Sequence, residues 1–175
     1  MMNEKYDLER FTIAHNDSFA QALAEIKRGR KTSHWMWYIF PQIAGLGRSS
    51  TAQYYAIADV NEAKAFLDDS YLGGNLVEIS SALLELDCDD PIQVFGWIDA
   101  VKLKSSMTLF EMAEKMSGAI KADNAVGSGM SETAEHIGDK SVSENEDDNV
   151  YGKVLEKFFG GERDVATIRI VSGQR

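Results

Sequence analysis

Apolar residues recur at helical spacing along most of this 175-residue chain, and this pattern constrains the fold more than any other feature. Residues three or four positions apart share one face of a helix, so each stripe predicts a helix with one buried face. The stripes are Phe19, Leu23 and Ile26; Ala63, Phe66 and Leu67; Leu76, Ile79, Leu83 and Leu86; Leu109, Met112, Ala113 and Met116; and Tyr151, Val154, Leu155 and Phe158. We therefore predict a mainly α fold, a single compact helical domain over residues 1–175 with irregular helix packing.

Residues that favour helix ends divide these stripes into separate helices. A side-chain oxygen can accept a hydrogen bond from a free amide of the first turn, and we predict such caps at Asp17, Ser33, Asn61, Ser105 or Ser106, and Asp164. Gly29 is expected to end the first helix in a left-handed conformation, and Pro91 to occupy a first helical position. Residues 71–86 are predicted to form one helix, and residues 35–40 a short helix that stops before Pro41.

The segment 119–149 differs in composition from the rest. It contains no Phe, Trp or Tyr, and residues 121–150 carry eight acids and two lysines, which accounts for most of the net charge of −10. Too few apolar residues are present to offset the entropy of ordering it. We predict a flexible acidic loop inserted within the domain. It could dock a basic protein partner or be a solvated insertion without a role.

Several classes of function are disfavoured by composition. A net charge of −10 argues against nucleic-acid binding, which normally needs a basic surface. One cysteine, Cys88, and no spaced cluster of histidines and acids predict no metal site, and no cofactor is predicted. The charged N-terminal residues lack the apolar core of a signal peptide, and no run is long enough to cross a bilayer. The expected location is the cytoplasm.

The sequence SHWMWYIFPQIAGLGRSS at residues 33–50 is the first candidate for a binding site. Its aromatic side chains could stack a flat ligand or could belong to the core. Helical spacing places Trp35 and Trp37 on different faces, so we expect Trp37 to form a pocket wall. His34 is either a structural hydrogen-bonding residue or an acid–base group.

A glycine-bearing turn follows within the same stretch. Gln42 offers a side-chain amide, Gly45 and Gly47 allow close backbone approach, and Arg48 and Ser49 supply donors ahead of a helix expected to open at residue 50 or 51. Such a turn suits an anion such as phosphate, although a plain turn explains it equally well. The spacing matches neither a phosphate-binding Walker loop nor a dinucleotide fingerprint.

The sequence FGWIDAVKLKSSMTLF at residues 95–110 is the second candidate. Asp99 and Lys102 are three residues apart, so an ion pair on one helix face is the simple interpretation. Alternatively, Lys102, Ser105 and Ser106 converge to bind an anion, with Asp99 as a candidate acid–base group. The order of lysine and serine is the reverse of that in penicillin-binding enzymes, which disfavours a serine nucleophile.

These two stretches, together with YYAIAD, EAKAFL and VLEKFFGGERDVATI, resemble the bacterial domain of unknown function 1810. Some members of that family carry the label calpastatin-like. The resemblance runs from about residue 8 to 118 and resumes at 151. It implies a compact, mainly α-helical domain that is often a monomer and has no established reaction.

Two functions are consistent with the sequence. The first is a pocket for a nucleotide-like or phosphate-bearing small molecule. The chain also bears a loose similarity to helical domains proposed to act on NAD-derived or ADP-ribose metabolites, and this similarity implies a hydrolase or sensor related to those compounds. In this interpretation Trp37 stacks the ring, Arg48 and Lys102 hold phosphate, and Gln42, Ser49, Ser105 and Ser106 donate hydrogen bonds. The alternative is a protein–protein interaction module without catalysis. No complete catalytic motif is present, so the sequence assigns no reaction.

Overall fold

The computed structural model describes residues 5–125 and 149–173, and within these ranges the chain forms eight helices and no strand. The helices are α1 (Glu9–Lys27), α2 (Met36–Ile39), α3 (Ser50–Tyr54), α4 (Val60–Asp68), α5 (Ser70–Leu84), α6 (Pro91–Ala125), α7 (Val150–Phe159) and α8 (Val165–Val171). The predicted mainly α fold is confirmed. In the described part of the chain, no helix is long and apolar enough to cross a membrane.

A chain of aromatic rings joins the helices in the core. Phe11 of α1 packs edge-on against Phe66 of α4 at 5.1 Å between ring centroids, and Phe66 contacts Phe110 of α6 at 5.3 Å. Phe110 in turn lies 6.0 Å from Tyr151 of α7. All four side chains are buried. Each contact joins residues more than 40 positions apart in sequence, and the burial of such large apolar groups is the main stabilising contribution.

Some helix ends are those that the local sequence predicts. Gly29, just beyond α1, has φ of +76°, which glycine adopts without steric cost. Pro91 is the first residue of α6, and Asp164 caps α8 by accepting a hydrogen bond from the Thr167 amide at 3.0 Å. The helix expected at residues 71–86 spans Ser70–Leu84. These predictions are confirmed to within two residues.

Three predicted caps are wrong. Asp17 lies exposed inside α1, which begins at Glu9 because Phe11, Ala14 and His15 extend its buried face toward the N-terminus. The cap of α4 is Asp59, which accepts from the Glu62 amide at 2.9 Å, and Asn61 lies in the first turn. Ser33 does not cap α2, since its hydroxyl donates to Glu25 instead.

Residues 91–116 divide into two helical segments, as predicted, but the predicted second cap at Ser105 or Ser106 is wrong. α6 continues through both serines, and its one interruption is at Gly96, where φ is +77° and ψ is 166°. Both serines are buried within the helix. The predicted acidic loop should start at residue 119, but α6 extends to Ala125, and Asn149 caps α7. The remainder of that loop, residues 126–148, lies outside the described residues.

The segment between α2 and α4 is tied into the core by backbone hydrogen bonds. Ile43 and Ile57, both buried, form an isolated parallel bridge, in which the Ala44 amide donates to Ile57 at 2.7 Å and the Ile57 amide donates to Gln42 at 2.8 Å. Arg10 of α1 reinforces this connection by donating to the carbonyl oxygens of residues 54 and 56. Residues 42–47 are therefore held in a fixed position.

The buried side chain of His15 in α1 anchors the short helix α2. His15 Nε2 of α1 lies 2.8 Å from the Tyr38 carbonyl oxygen, and its Nδ1 lies 3.1 Å from the Asn75 side-chain amide of α5. Burial lowers the pKa of His15, more than the hydrogen bond to Tyr38 raises it. A neutral ring that donates from Nε2 and accepts at Nδ1 satisfies both neighbours, so α1 holds α2 directly and α5 supports it through His15.

Candidate functional site

The turn of residues 31–35 is organised around Glu25, a buried carboxylate of α1. Its oxygens accept hydrogen bonds from the Thr32 amide at 2.8 Å, the Ser33 amide at 3.1 Å and the Trp35 indole at 2.9 Å. The hydroxyl of Ser33 also donates to it. Burial by itself would raise the pKa of Glu25, but these hydrogen bonds outweigh it and lower the pKa to about 2. The turn is thus held in place by hydrogen bonds from neutral groups to the negatively charged Glu25 carboxylate.

A second carboxylate, Asp99 of α6, faces the same turn from the other side. Its Oδ2 lies 2.8 Å from Nζ of Lys31, and its Oδ1 lies 3.1 Å from Nζ of Lys102. Burial would raise the pKa of Asp99, yet the hydrogen bonds from the two lysines lower it overall. One carboxylate therefore sits between two ammonium groups, and the cluster carries a net charge of +1.

This cluster brings the two unusual sequence stretches together. Nζ of Lys102 lies 4.9 Å from the ring centroid of Trp37, a cation–π contact. Trp35 is buried and donates to Glu25, whereas Trp37 is half-buried. Residues 33–50 and 95–110 thus form facing walls of one site.

Two adjoining concavities occupy the space between these walls. The first, which we call the cationic lobe, has a volume of about 400 Å³ and is lined by Lys31, His34, Met36, Trp37, Phe95, Gly96, Trp97, Ile98, Asp99 and Lys102. The second, the polar lobe, has a volume of about 470 Å³ and is lined by Gln42, Leu46, Gly47, Trp97, Ile98, Val101, Lys102, Ser105, Asp164 and Ala166. Both volumes fall within the range of small-molecule sites.

Hydrogen bonds between α6 and α8 shape the floor of the polar lobe. The buried Ser105 hydroxyl donates to Asp164 Oδ2 at 3.1 Å, and the Thr167 hydroxyl donates to the same oxygen at 2.6 Å. Because the single hydroxyl proton of Ser105 is donated to Asp164, Ser105 can only accept a hydrogen bond from a ligand. Within the described residues, no hydrogen bond engages the half-buried side-chain amide of Gln42.

The other predicted binding residues lie outside both lobes. Gly45 backs onto α8, where a Cβ would lie 3.5 Å from Cδ1 of Ile170. Arg48 and Ser49 are exposed, and the Ser49 hydroxyl caps α3 by accepting from the Ala52 amide at 3.1 Å. Ser106 is fully buried in α6, and its hydroxyl has no hydrogen-bond partner within the described residues.

The comparisons with known proteins agree with this architecture. A family model described as protein of unknown function (DUF1810) matches residues 5–135. The chain belongs to the DUF1810 family. Its structure is similar to the crystal structure of the conserved hypothetical protein Rv1873 from Mycobacterium tuberculosis, with a TM-score of 0.74 and 30% sequence identity over 95% of this chain and 97% of that chain. No curated protein matches the chain in sequence.

The two acid–base candidates of this DUF1810 chain both line the cationic lobe. Asp99 has a lowered pKa because the hydrogen bonds of two lysines outweigh the effect of its burial, and a carboxylate held in this way is a poor proton acceptor at neutral pH. It is suited to orienting the lysines. His34 is exposed on the wall of the lobe, where its ring is accessible to a ligand.

Sequence reasoning missed Lys31, Trp97 and Ile98 among the residues that line the site in this DUF1810 protein. Lys31 was not singled out because its partner, Asp99, is 68 positions away. Trp97 lines both lobes and is 72% exposed, as is Ile98. Helical periodicity could have identified Trp97 and Ile98, because residues 97, 98 and 101 lie off the buried face formed by residues 100, 103, 107 and 110. Gly47, by contrast, has a structural reason to be glycine, because a Cβ there would lie 2.5 Å from that of Ala52.

No group of three or more histidine, cysteine or acidic residues that could hold a metal ion occurs within residues 5–125 and 149–173. The polar and aromatic side chains that line the two lobes supply ammonium, carboxylate, imidazole, amide, hydroxyl and indole groups.

Proposed function

We propose that this protein binds a phosphate-bearing, nucleotide-like small molecule in the two lobes, as a hydrolase or sensor of NAD- or ADP-ribose-related compounds. The observation that carries the proposal is the cluster of Lys31, Asp99 and Lys102 beside Trp37. Two lysines against one carboxylate leave a positive charge at an open rim, in a chain whose overall charge is −10.

The geometry of Lys102 supports a combined anion and ring site. Its ammonium group contacts both Asp99 and the face of Trp37, and an ammonium has three donor protons. A phosphate oxygen can replace water on the remaining proton, while a flat base packs against the neighbouring indole. Partial burial strengthens the charge interaction relative to a fully solvated lysine.

The test is a thermal-shift titration of the purified protein with AMP, ADP-ribose and ribose 5-phosphate, in the wild type and in Lys102→Met. A ligand at about a hundred times its Kd stabilises the folded state by about 2.7 kcal/mol, which gives a clear shift in Tm. We expect a shift in the wild type and none in Lys102→Met, whose Tm without ligand should change little because Lys102 lies at the rim.

Two further variants make the titration specific. Lys27→Met removes the same charge from an exposed residue of α1 outside both lobes and should respond to ligand like the wild type. Arg48→Met distinguishes the predicted glycine-turn site from the lobes. If Arg48→Met loses the response while Lys102→Met keeps it, the ligand binds at the turn of residues 45–49 and not in the lobes.

A second function, a protein-interaction module, is favoured by one observation. Trp97, Ile98 and Val101 are all more than half exposed and lie on the same side of α6. Contiguous exposed apolar side chains with a tryptophan are typical of protein interfaces. Absence of a shift with every nucleotide-like probe, together with loss of a co-purifying protein in Trp97→Ser, would favour this function over the first.

A further inference from the structure

The two lobes differ in charge although they share three residues. The cationic lobe has Lys31 and Lys102 against Asp99. The polar lobe has only Lys102 against Asp164, and adds neutral hydrogen-bonding groups from Gln42 and Ser105. An anionic group is thus favoured in the first lobe and at its boundary, whereas the second lobe offers no further cation to hold one.

The position of Lys102 decides where the charged part of a ligand would lie. Lys102 lines both lobes, together with Trp97 and Ile98, so it sits at their junction and not at a closed end. A phosphate held at a junction has space on both sides. The two spaces are of similar size, about 400 and 470 Å³, so the ligand that fills the site has two arms with the charge between them.

The polar lobe indicates the chemistry of the second arm. Its polar lining consists of the Gln42 amide, which both donates and accepts, and the oxygens of the buried Ser105 and of Asp164, which accept. Sugar hydroxyls donate and accept in the same way. The apolar side chains of Leu46, Val101 and Ala166 complete the lining and can contact the carbon face of a sugar ring. A second phosphate there would face the Asp164 carboxylate without a compensating cation.

We propose that the ligand is a phosphate diester or diphosphate that bridges two arms. A flat ring lies in the cationic lobe against Trp37, the bridging anion lies at Lys102, and an uncharged, hydroxyl-bearing arm occupies the polar lobe. This inference rests on the proposed function and narrows it, because a nucleotide that ends in a phosphate would leave the polar lobe empty.

The test compares probes that carry one arm or both by isothermal titration calorimetry. AMP carries the ring on its own ribose and a terminal phosphate, ribose 5-phosphate carries the sugar arm and a terminal phosphate, and ADP-ribose joins the ring-bearing nucleoside to a second ribose through a diphosphate. We expect ADP-ribose to bind at least about fivefold more tightly than either single-arm probe, as the extra hydrogen bonds of a second arm should give.

Two variants assign the arms to the lobes. Gln42→Ala should weaken ADP-ribose about fivefold and leave AMP unchanged, since one neutral hydrogen bond is lost. Trp37→Leu should weaken ADP-ribose and AMP but not ribose 5-phosphate. Gln42 is preferred to Ser105 for this purpose because Ser105 joins α6 to α8 and its removal would also perturb the fold.

The outcomes separate this inference from the proposed function. If AMP binds as tightly as ADP-ribose, or if Gln42→Ala weakens AMP as much as ADP-ribose, the two-armed ligand is overturned while a phosphate-binding pocket stands. If none of the three probes binds the wild-type protein, both proposals are overturned.

Discussion

Glu25 and Asp99 are two carboxylates on either side of the turn of residues 31–35, and they are held in opposite ways. Glu25 is fully buried and accepts hydrogen bonds from neutral amide, hydroxyl and indole groups. Asp99 is half-buried at the rim of the cationic lobe and faces two lysines. The groups that contact the Glu25 carboxylate stabilise the fold. At Asp99, two lysines contact a single carboxylate, so one positive charge is left unbalanced. This unbalanced positive charge makes the Asp99 side a candidate for ligand binding.

The strongest test of this difference removes the Glu25 carboxylate. Glu25→Ala removes the acceptor of the buried Trp35 indole and of the partly buried amides of residues 32 and 33. We expect the free energy of unfolding to fall by roughly 3 to 5 kcal/mol, because each unsatisfied buried donor costs about 1 to 3 kcal/mol. Urea denaturation followed by circular dichroism measures the change.

An exposed glutamate provides the control for this experiment. Glu78→Ala on α5 should change the free energy of unfolding by less than about 0.5 kcal/mol. A loss in Glu25→Ala no larger than that of the control would show that the turn does not depend on the buried charge.

The second test titrates Glu25. Its pKa is about 2 in the folded protein and 4.5 in the unfolded reference, so the folded pKa is the lower one. The corresponding stabilisation of about 3 kcal/mol is complete above the unfolded pKa and is lost as the pH falls from about 5 toward 2. We expect the difference in unfolding free energy between the wild type and Glu25→Gln to shrink over this range, as measured by urea denaturation at pH 6, 4.5 and 3. A difference that stays constant with pH would contradict the lowered pKa.

The smallest effect on stability is expected at the other carboxylate. Asp99→Asn keeps an acceptor oxygen for the lysines and lies near solvent, so the free energy of unfolding should change by less than about 1 kcal/mol. The net charge of the cluster rises from +1 to +2. We expect inorganic pyrophosphate to bind several-fold more tightly at low salt, with the gain lost near 0.5 M salt because of screening. Weaker binding than in the wild type would show that Asp99 is needed to position the lysines.

The sequence predicts helix ends well where one residue has a conformation that few others share. Gly29 with its positive φ and Pro91 at a first helical position are such cases. Capping predictions at Asp17 and Asn61 are wrong because many short polar residues can cap a helix. The one that does so is set by where the buried stripe begins, and that depends on distant partners such as Phe66 for Phe11.

The candidate site likewise contains one contact that the local sequence predicts and others that it does not. The Asp99–Lys102 pair, three residues apart, follows from helical spacing and is present. The contact between Lys102 and Trp37 joins residues 65 positions apart, and the Lys31–Asp99 pair joins residues 68 apart. Helical periodicity does not predict contacts between residues so far apart in sequence. Residue types can therefore nominate the two stretches, but only the packing of α6 against residues 31–47 determines which side chains meet.

The Ile43–Ile57 bridge has a consequence for how this chain can vary. Two backbone hydrogen bonds close the neck of the loop between residues 44 and 56, while its tip at Arg48 and Ser49 is exposed. Lengthening a loop that is closed at its neck costs little entropy, and exposed tips accept insertions readily. Residues can thus be added or removed at the tip without moving Gln42, so the tip can diverge in length among homologues while the wall of the polar lobe keeps its place.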